Sequence, residues 1–201
     1  MKNKKIQMLV EGAIMVALAT VLSFVKVVKF PWGGAITLLS MLPITVYGVK
    51  WGIKAGMLVS VLYAIIQLLQ GIMLDGLLGW GLTPVALISC IMLDYILAFS
   101  PLGLSGIFRK KGIAGWLGGI SFTIVIRYVS HLISGAAIFH SAGMLWEGFI
   151  TDNEWLYSAV YNAAYMLPEL LFTVIGASVL LSAPVIKKYI RPSVAAKAEQ
   201  Q

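Results

Sequence analysis

The sequence predicts an all-α integral membrane protein with six transmembrane helices and both termini on the cytoplasmic side. Three observations carry this expectation. Of 201 residues, 60% are hydrophobic and 11% charged, with a mean hydropathy of +0.92, well outside the range of a soluble domain. Lysine and arginine gather at the ends of apolar runs, at Lys2 to Lys5, Lys50 and Lys54, Arg109 to Lys111, and Lys187, Lys188 and Arg191. Between those basic turns lie acidic connections: Leu74 to Pro84 holds Asp75, and His140 to Glu154 holds Glu147, Asp152 and Glu154, neither with a basic residue. The formal charge of +7 is therefore a topology signal, which points to lipid and away from nucleic acid as a partner.

The first span, about residues 6 to 28, follows a basic start that resembles a secretory signal, but Glu11 interrupts its apolar run and its length suits a bilayer crossing. Ala13 and Ala17 form a small-xxx-small pair, read on pattern alone as internal packing. Phe30-Pro31-Trp32-Gly33-Gly34 breaks the helix into a loop. Span two, about 36 to 49, is short and contains Pro43, so it is expected to tilt, kink or re-enter. After the basic turn at Lys50, span three (about 55 to 73) places Tyr63 and Gln67 on one face. Span four (about 85 to 104) carries Asp94-Tyr95 at its middle; span five runs from about 113 to 139, and span six from about 155 to 181. These make one domain over 1–192, followed by a tail, 193–201, expected to be disordered.

Ionisable residues at membrane depth are functional candidates by default, and here they are Glu11, Asp94, Arg127, His131 and Glu169. Glu11 is expected at the interface, and Glu169, after Pro168, is expected to reach toward the cytoplasmic side. Arg127, His131 and Gly135 fall at i, i+4 and i+8, so a charge, a titratable ring and a gap share one stripe. A lipid-facing arginine would cost at least ~2.5 kcal/mol, so that stripe should face protein or water. Span six adds Tyr157, Tyr161 and Tyr165 at spacing four, with Asn162, an amide that needs partners. One cavity touched by Asp94, His131 and Asn162 would favour a flat, cationic ligand held by charge and by cation-π contacts of ~0.5 to 2 kcal/mol. The competing bland reading pairs Asp94 with Arg127 as a neutralised helix lock.

Several classes are unsupported. There is no phosphate loop, no H-E-x-x-H pair and no G-x-S-x-G elbow. The single cysteine, Cys90, offers neither a disulfide nor a thiol cluster for metal. An intramembrane enzyme on His131 with Ser130 or Ser134 lacks an activated nucleophile, and a scaffold whose polar residues only join helices is the third reading. The chain is expected not to be an enzyme and to hold no cofactor or metal.

The runs Arg127-Tyr-Val-Ser-His-Leu-Ile-Ser-Gly135 and Tyr157-Ser-Ala-Val-Tyr-Asn-Ala-Ala-Tyr-Met166, with Glu11 to Ala17, Pro31 to Gly34, Met41 to Pro43, Trp51 to Gly56 and Leu93-Asp-Tyr95, resemble the thiamin-specific substrate-binding subunit of energy-coupling factor transporters. The resemblance spans nearly the whole chain. It implies high-affinity capture of thiamin from outside and docking on a module of one transmembrane coupling protein and two ATPases, so that ATP is used by partners. It implies a ligand site at Asp94, Tyr95, Arg127, His131, Gly135, Tyr157 and Asn162, with Phe139 and Tyr63 where some members place tryptophans. Pro31, Trp32, Gly33 and Gly34 are similar to the family's gate loop, although Trp32 does not align with the gate tryptophan. Ala13 and Ala17 would face the coupling protein, reversing the reading from pattern alone. A related subunit for another flat vitamin or precursor is the alternative of the same class.

Overall fold

The computed structural model describes residues 2–30 and 33–190; Pro31, Trp32 and the tail at 193–201 lie outside them. Four stretches are long and apolar enough to cross a membrane: Asn3–Phe24, Ile53–Met73, Pro84–Ala137 and Glu154–Ser182. The third, at 54 residues, would reach about 81 Å if straight, against ~30 Å of hydrocarbon. It turns back at Gly112, whose φ of +68° is left-handed and open to glycine without strain.

α1 (Lys2–Phe24) buries Gly12, Val16, Ala19 and Ser23 along one edge. A Cβ on Gly12 would sit 2.9 Å from Val59 and 3.2 Å from the Tyr47 hydroxyl, so the glycine sets how closely α1 approaches. Its other faces expose Ile6, Leu9, Val10, Ile14, Leu18 and Val21, as a lipid-facing surface does. Next come two strands, β1 (Lys26–Lys29) and β2 (Ala35–Thr37), which pair antiparallel with a bulge between Lys26 and Val28. The expected first span thus ends at Phe24, and the expected start of the second is strand.

α2 (Leu42–Trp51) is only ten residues long, ~15 Å, and every residue from Pro43 to Trp51 is buried. Pro43 causes no kink. It sits in the first turn, where its missing N–H leaves no bond unmade. Gly52, at φ +83°, turns the chain into α3 (Ile53–Met73). α4 (Pro84–Cys90), started by Thr83 as N-cap, continues into a π-helical segment (Ile91–Ile96), a short α5 (Leu97–Phe99) and a 3₁₀ stretch (Ser100–Lys111). α6 (Gly112–Ala137) packs back along that stretch: Cβ atoms on Gly115 and Gly119 would collide with the Phe108 and Ser105 carbonyls, and Trp116 Nε1 donates to Arg109 O at 2.8 Å. A second hairpin, β3 (Gly143–Trp146) with β4 (Phe149–Thr151), replaces the expected loop and leads to α7 (Glu154–Ser182).

The core forms around α2. α3 and the 3₁₀ stretch approach it through glycine: a Cβ on Gly48 would strike Ser105 Oγ, one on Gly106 the Gly48 carbonyl, and one on Gly103 the Gly56 backbone. At that end Glu11 is no interfacial bystander. It accepts from Lys50 Nζ at 2.7 Å and Trp51 Nε1 at 2.8 Å, while the Tyr189 hydroxyl, in a helical segment over 184–190, donates to its other oxygen. Lys50 and Arg109, which the sequence marks as topology signals, are 5% and 8% exposed and join this cluster, Arg109 Nη1 donating to Lys50 O. Desolvating both members of the Lys50–Glu11 pair is tolerable because each has further partners.

Candidate functional site

Asp94 stands in the π-helical segment and meets α6, while its neighbour Tyr95 meets α3. His131 Nδ1 lies 2.8 Å from Asp94 Oδ1. Arg127 Nε donates to His131 Nε2 at 3.3 Å, so Nε2 is an acceptor and the proton belongs on Nδ1, directed at the carboxylate. The second oxygen, Oδ2, accepts from Ser134 Oγ and, at 3.3 Å, from Cys90 Sγ. The helix lock between Asp94 and Arg127 does not form. Arg127 instead lies with its guanidinium carbon 4.2 Å from the centre of the Phe99 ring and donates from Nη1 to Met41 Sδ. Asp94 thus meets a neutral imidazole N–H rather than a cationic side chain.

α7 closes the cluster. Asn162 Nδ2 donates to Ser158 O at 2.8 Å and to His131 O at 3.4 Å, and its Oδ1 accepts from the Tyr165 hydroxyl at 2.5 Å. The Tyr165 ring meets His131 edge-on, with centroids 6.2 Å apart. α6 and α7 come this near because position 135 has no side chain: a Cβ on Gly135 would overlap Ser158 Oγ and lie 3.5 Å from Asn162 Nδ2. Asp94, His131, Gly135 and Asn162 are thus brought together. Tyr165 and Asn162 are 5% and 4% exposed, whereas the side chains of His131 and Asp94 retain 13% and 18%, so the Asp94 end of the cluster is the less buried one.

The first hairpin lies over this cluster. Gly34 N donates to the Tyr161 hydroxyl at 3.1 Å, a Cβ on Gly34 would be 2.7 Å from the Tyr165 ring, and Phe30 packs on Tyr161 and Tyr165 with centroids 6.2 and 6.0 Å away. Gly33 approaches Trp80, which packs edge-on with Phe139 at 6.0 Å. Pro31 and Trp32 lie outside the described residues. Tyr63, fully buried, meets Phe99 edge-on at 5.6 Å and so supports the ring under Arg127. Tyr157 is buried one turn before Tyr161.

Tyr95 does not join the cluster, since its hydroxyl lies against Gly71 of α3. Ala13 and Ala17 are remote from it and exposed on α1. Glu169 departs most from expectation: it reaches the first hairpin, accepting at Oε1 from both N and Oγ1 of Thr37. The ligands of Asp94 other than His131 escaped site prediction, although Cys90 and Ser134 stand one turn from Asp94 and His131 and carried that much signal. A recess of about 200 Å³ between α6 and α7, lined by Ile124, Tyr128, Met166 and Leu170, is apolar and apart from this chemistry.

Long apolar helices enclosing a carboxylate, an imidazole and an amide define a multi-pass membrane protein with a polar cluster inside its bundle. The chain belongs to the thiamine transporter protein family, whose sequence pattern matches residues 9–188. It is 32% identical to the thiamine transporter ThiT of Bacillus subtilis strain 168 over 202 aligned residues, covering 93% of this chain and 97% of that one. It is similar to a solved structure of ThiT from Listeria monocytogenes, with a TM-score of 0.69, 27% identity, and coverage of 92% of this chain and 98% of the other. These relatives are transporters, and the chain is not an enzyme.

A Cβ at 135 meets chiefly Ser158 Oγ, and that contact sets a prediction. Gly135→Ala destabilises the chain in detergent by ~1 to 3 kcal/mol, the range of overpacking, seen as a lower thermal midpoint, and adding Ser158→Ala restores part of it. Additive losses in differential scanning fluorimetry would show that the approach at 135 is not what matters.

Proposed function

We propose that the chain captures thiamin in the cluster built on Asp94 and delivers it as the substrate-binding subunit of an energy-coupling factor importer. Carrying this reading is the pairing of Asp94 with a neutral-tautomer His131 while Arg127 is turned to Phe99 and Met41. The carboxylate keeps a negative charge uncancelled by the guanidinium, which suits a cation. Around it stand π faces and directional groups: Tyr165 and Phe30, then Asn162 and Ser134, to meet ring nitrogens and a hydroxyl. Family membership supports thiamin as that cation.

In this reading Asp94 pairs with the charge or the aminopyrimidine, His131 and Asn162 hydrogen-bond, and Phe139 and Tyr157 line the pocket with Gly33 and Gly34 above. Tyr95 serves from behind, by its packing on α3. Six crossings count β2 and α2 together as the second and divide Pro84–Ala137 at Gly112; the basic ends then lie in the cytoplasm. This chain has no nucleotide loop, so ATP is consumed by partner ATPases, and exposed Ala13 and Ala17 offer a close-approach face to a coupling protein.

Asp94→Ala and Asn162→Ala each raise the thiamin dissociation constant at least tenfold, about 1.4 kcal/mol, in calorimetric titrations in detergent; unchanged curves for both would remove the site. Ala13→Trp leaves binding intact and abolishes thiamin uptake in cells that supply the coupling module. Full uptake by that variant, with normal expression, would place the coupling surface elsewhere.

A further inference from the structure

A buried glutamate should hold its partners on a neighbouring helix if its purpose is to join helices. Glu169 does something else. It is 2% exposed, and the bonds its Oε1 accepts come from one residue of a strand, the amide and hydroxyl of Thr37. Because Thr37 Oγ1 donates to the carboxylate, the Ser40 hydroxyl at 2.6 Å must donate to Thr37, so two hydroxyls in series direct their protons toward Glu169. Its other oxygen has no hydrogen-bond partner among the described residues. A desolvated carboxylate in this position is costly unless it secures something.

What it secures is the seating of Phe30 and of residues 33 to 39. These residues meet α7 along one stripe, at Tyr161 (the Gly34 amide), Tyr165 (the Phe30 ring), Glu169 (Thr37) and Gly176, where a Cβ would lie 3.0 Å from Leu39. The spacings of four, four and seven keep them on one helix face. Leu39 itself holds a φ of +59°, an uncommon conformation for a side chain of that kind, so the segment between Thr37 and α2 is held there and does not merely rest. The same α7 face touches the polar cluster, since Tyr165 donates to Asn162 and its ring meets His131. Cover and site therefore share a support, and Glu169 is its only charged member.

We propose that Glu169 is a positioning residue that seats β2, and with it Gly34 and Phe30, over the Asp94 cluster, and thereby sets how slowly a bound cation leaves. The kinetic half rests on the thiamin reading above; the seating half stands without it. Glu169→Gln keeps an oxygen that accepts from Thr37, Glu169→Ala removes both bonds, and Thr37→Val removes the hydroxyl bond while leaving the amide bond.

The test uses the full chain in detergent with two readouts. In hydrogen–deuterium exchange without ligand, the amides of residues 34–37 exchange at least tenfold faster in Glu169→Ala, while those of α7 beyond the first turn do not change; Glu169→Gln stays near the parent. In chase experiments with radiolabelled thiamin, Glu169→Ala speeds dissociation at least tenfold with association altered less than threefold, and the double variant with Thr37→Val is no worse than Glu169→Ala alone. Unchanged exchange and release in Glu169→Ala overturn the proposal. So does a variant with faster exchange throughout α7 and equal losses in both rates, which marks a merely structural role. A parent chain that binds no thiamin overturns the functional reading, and the exchange readout still decides the seating.

Discussion

A carboxylate at membrane depth has to find its solvation in the protein, and the arrangement around Asp94 answers that constraint. Its two oxygens take an imidazole N–H, a serine hydroxyl and a thiol, from α6 and from its own helix. Because the imidazole must then turn Nε2 outward as an acceptor, Arg127 acquires a place beside it and over Phe99. Because Asn162 donates to His131 O and Ser158 donates to Leu132 O, α7 is drawn against α6 at Gly135. One desolvation requirement thus links three parts of the chain. Each remaining group is oriented by the ones before it, which is the preorganisation a small-molecule site needs.

The polar cluster is supported by a scaffold that relies on missing side chains. α2 is too short to cross a bilayer alone, yet it is the most deeply enclosed helix, and Gly48, Gly56, Gly103 and Gly106 let α3 and the 3₁₀ stretch close on it. In lipid there is little hydrophobic drive between helices, so close backbone contact supplies dispersion in its place. The end of this scaffold holding Glu11, Lys50 and Tyr189 is polar and tied, while the end under the first hairpin carries the Asp94 cluster.

Much of this was legible in the sequence because apolar runs of twenty residues and their basic ends report directly on the bilayer. The convergence of His131, Gly135 and Asn162 followed from helical spacing and the family resemblance. The two hairpins were hidden, since strands of three and four residues give too little alternation to see, and Lys26 to Lys29 reads equally well as a helix end. The π-helical segment that carries Asp94 and Tyr95 was hidden too, because a local change of period leaves no compositional mark. Glu169 was misplaced because depth was counted along α7 alone. Its partner, Thr37, comes from a distant part of the sequence that no local pattern connects to it.

The central claim, that the Asp94 cluster is a recognition site and not an internal brace, is tested most directly by native mass spectrometry of the chain purified alone from cells grown with thiamin. The account predicts a one-to-one adduct with the mass of thiamin, lost when Asp94 is replaced by alanine in a protein that still folds. A folded chain that carries no small molecule and takes up none when thiamin is added in excess would contradict it.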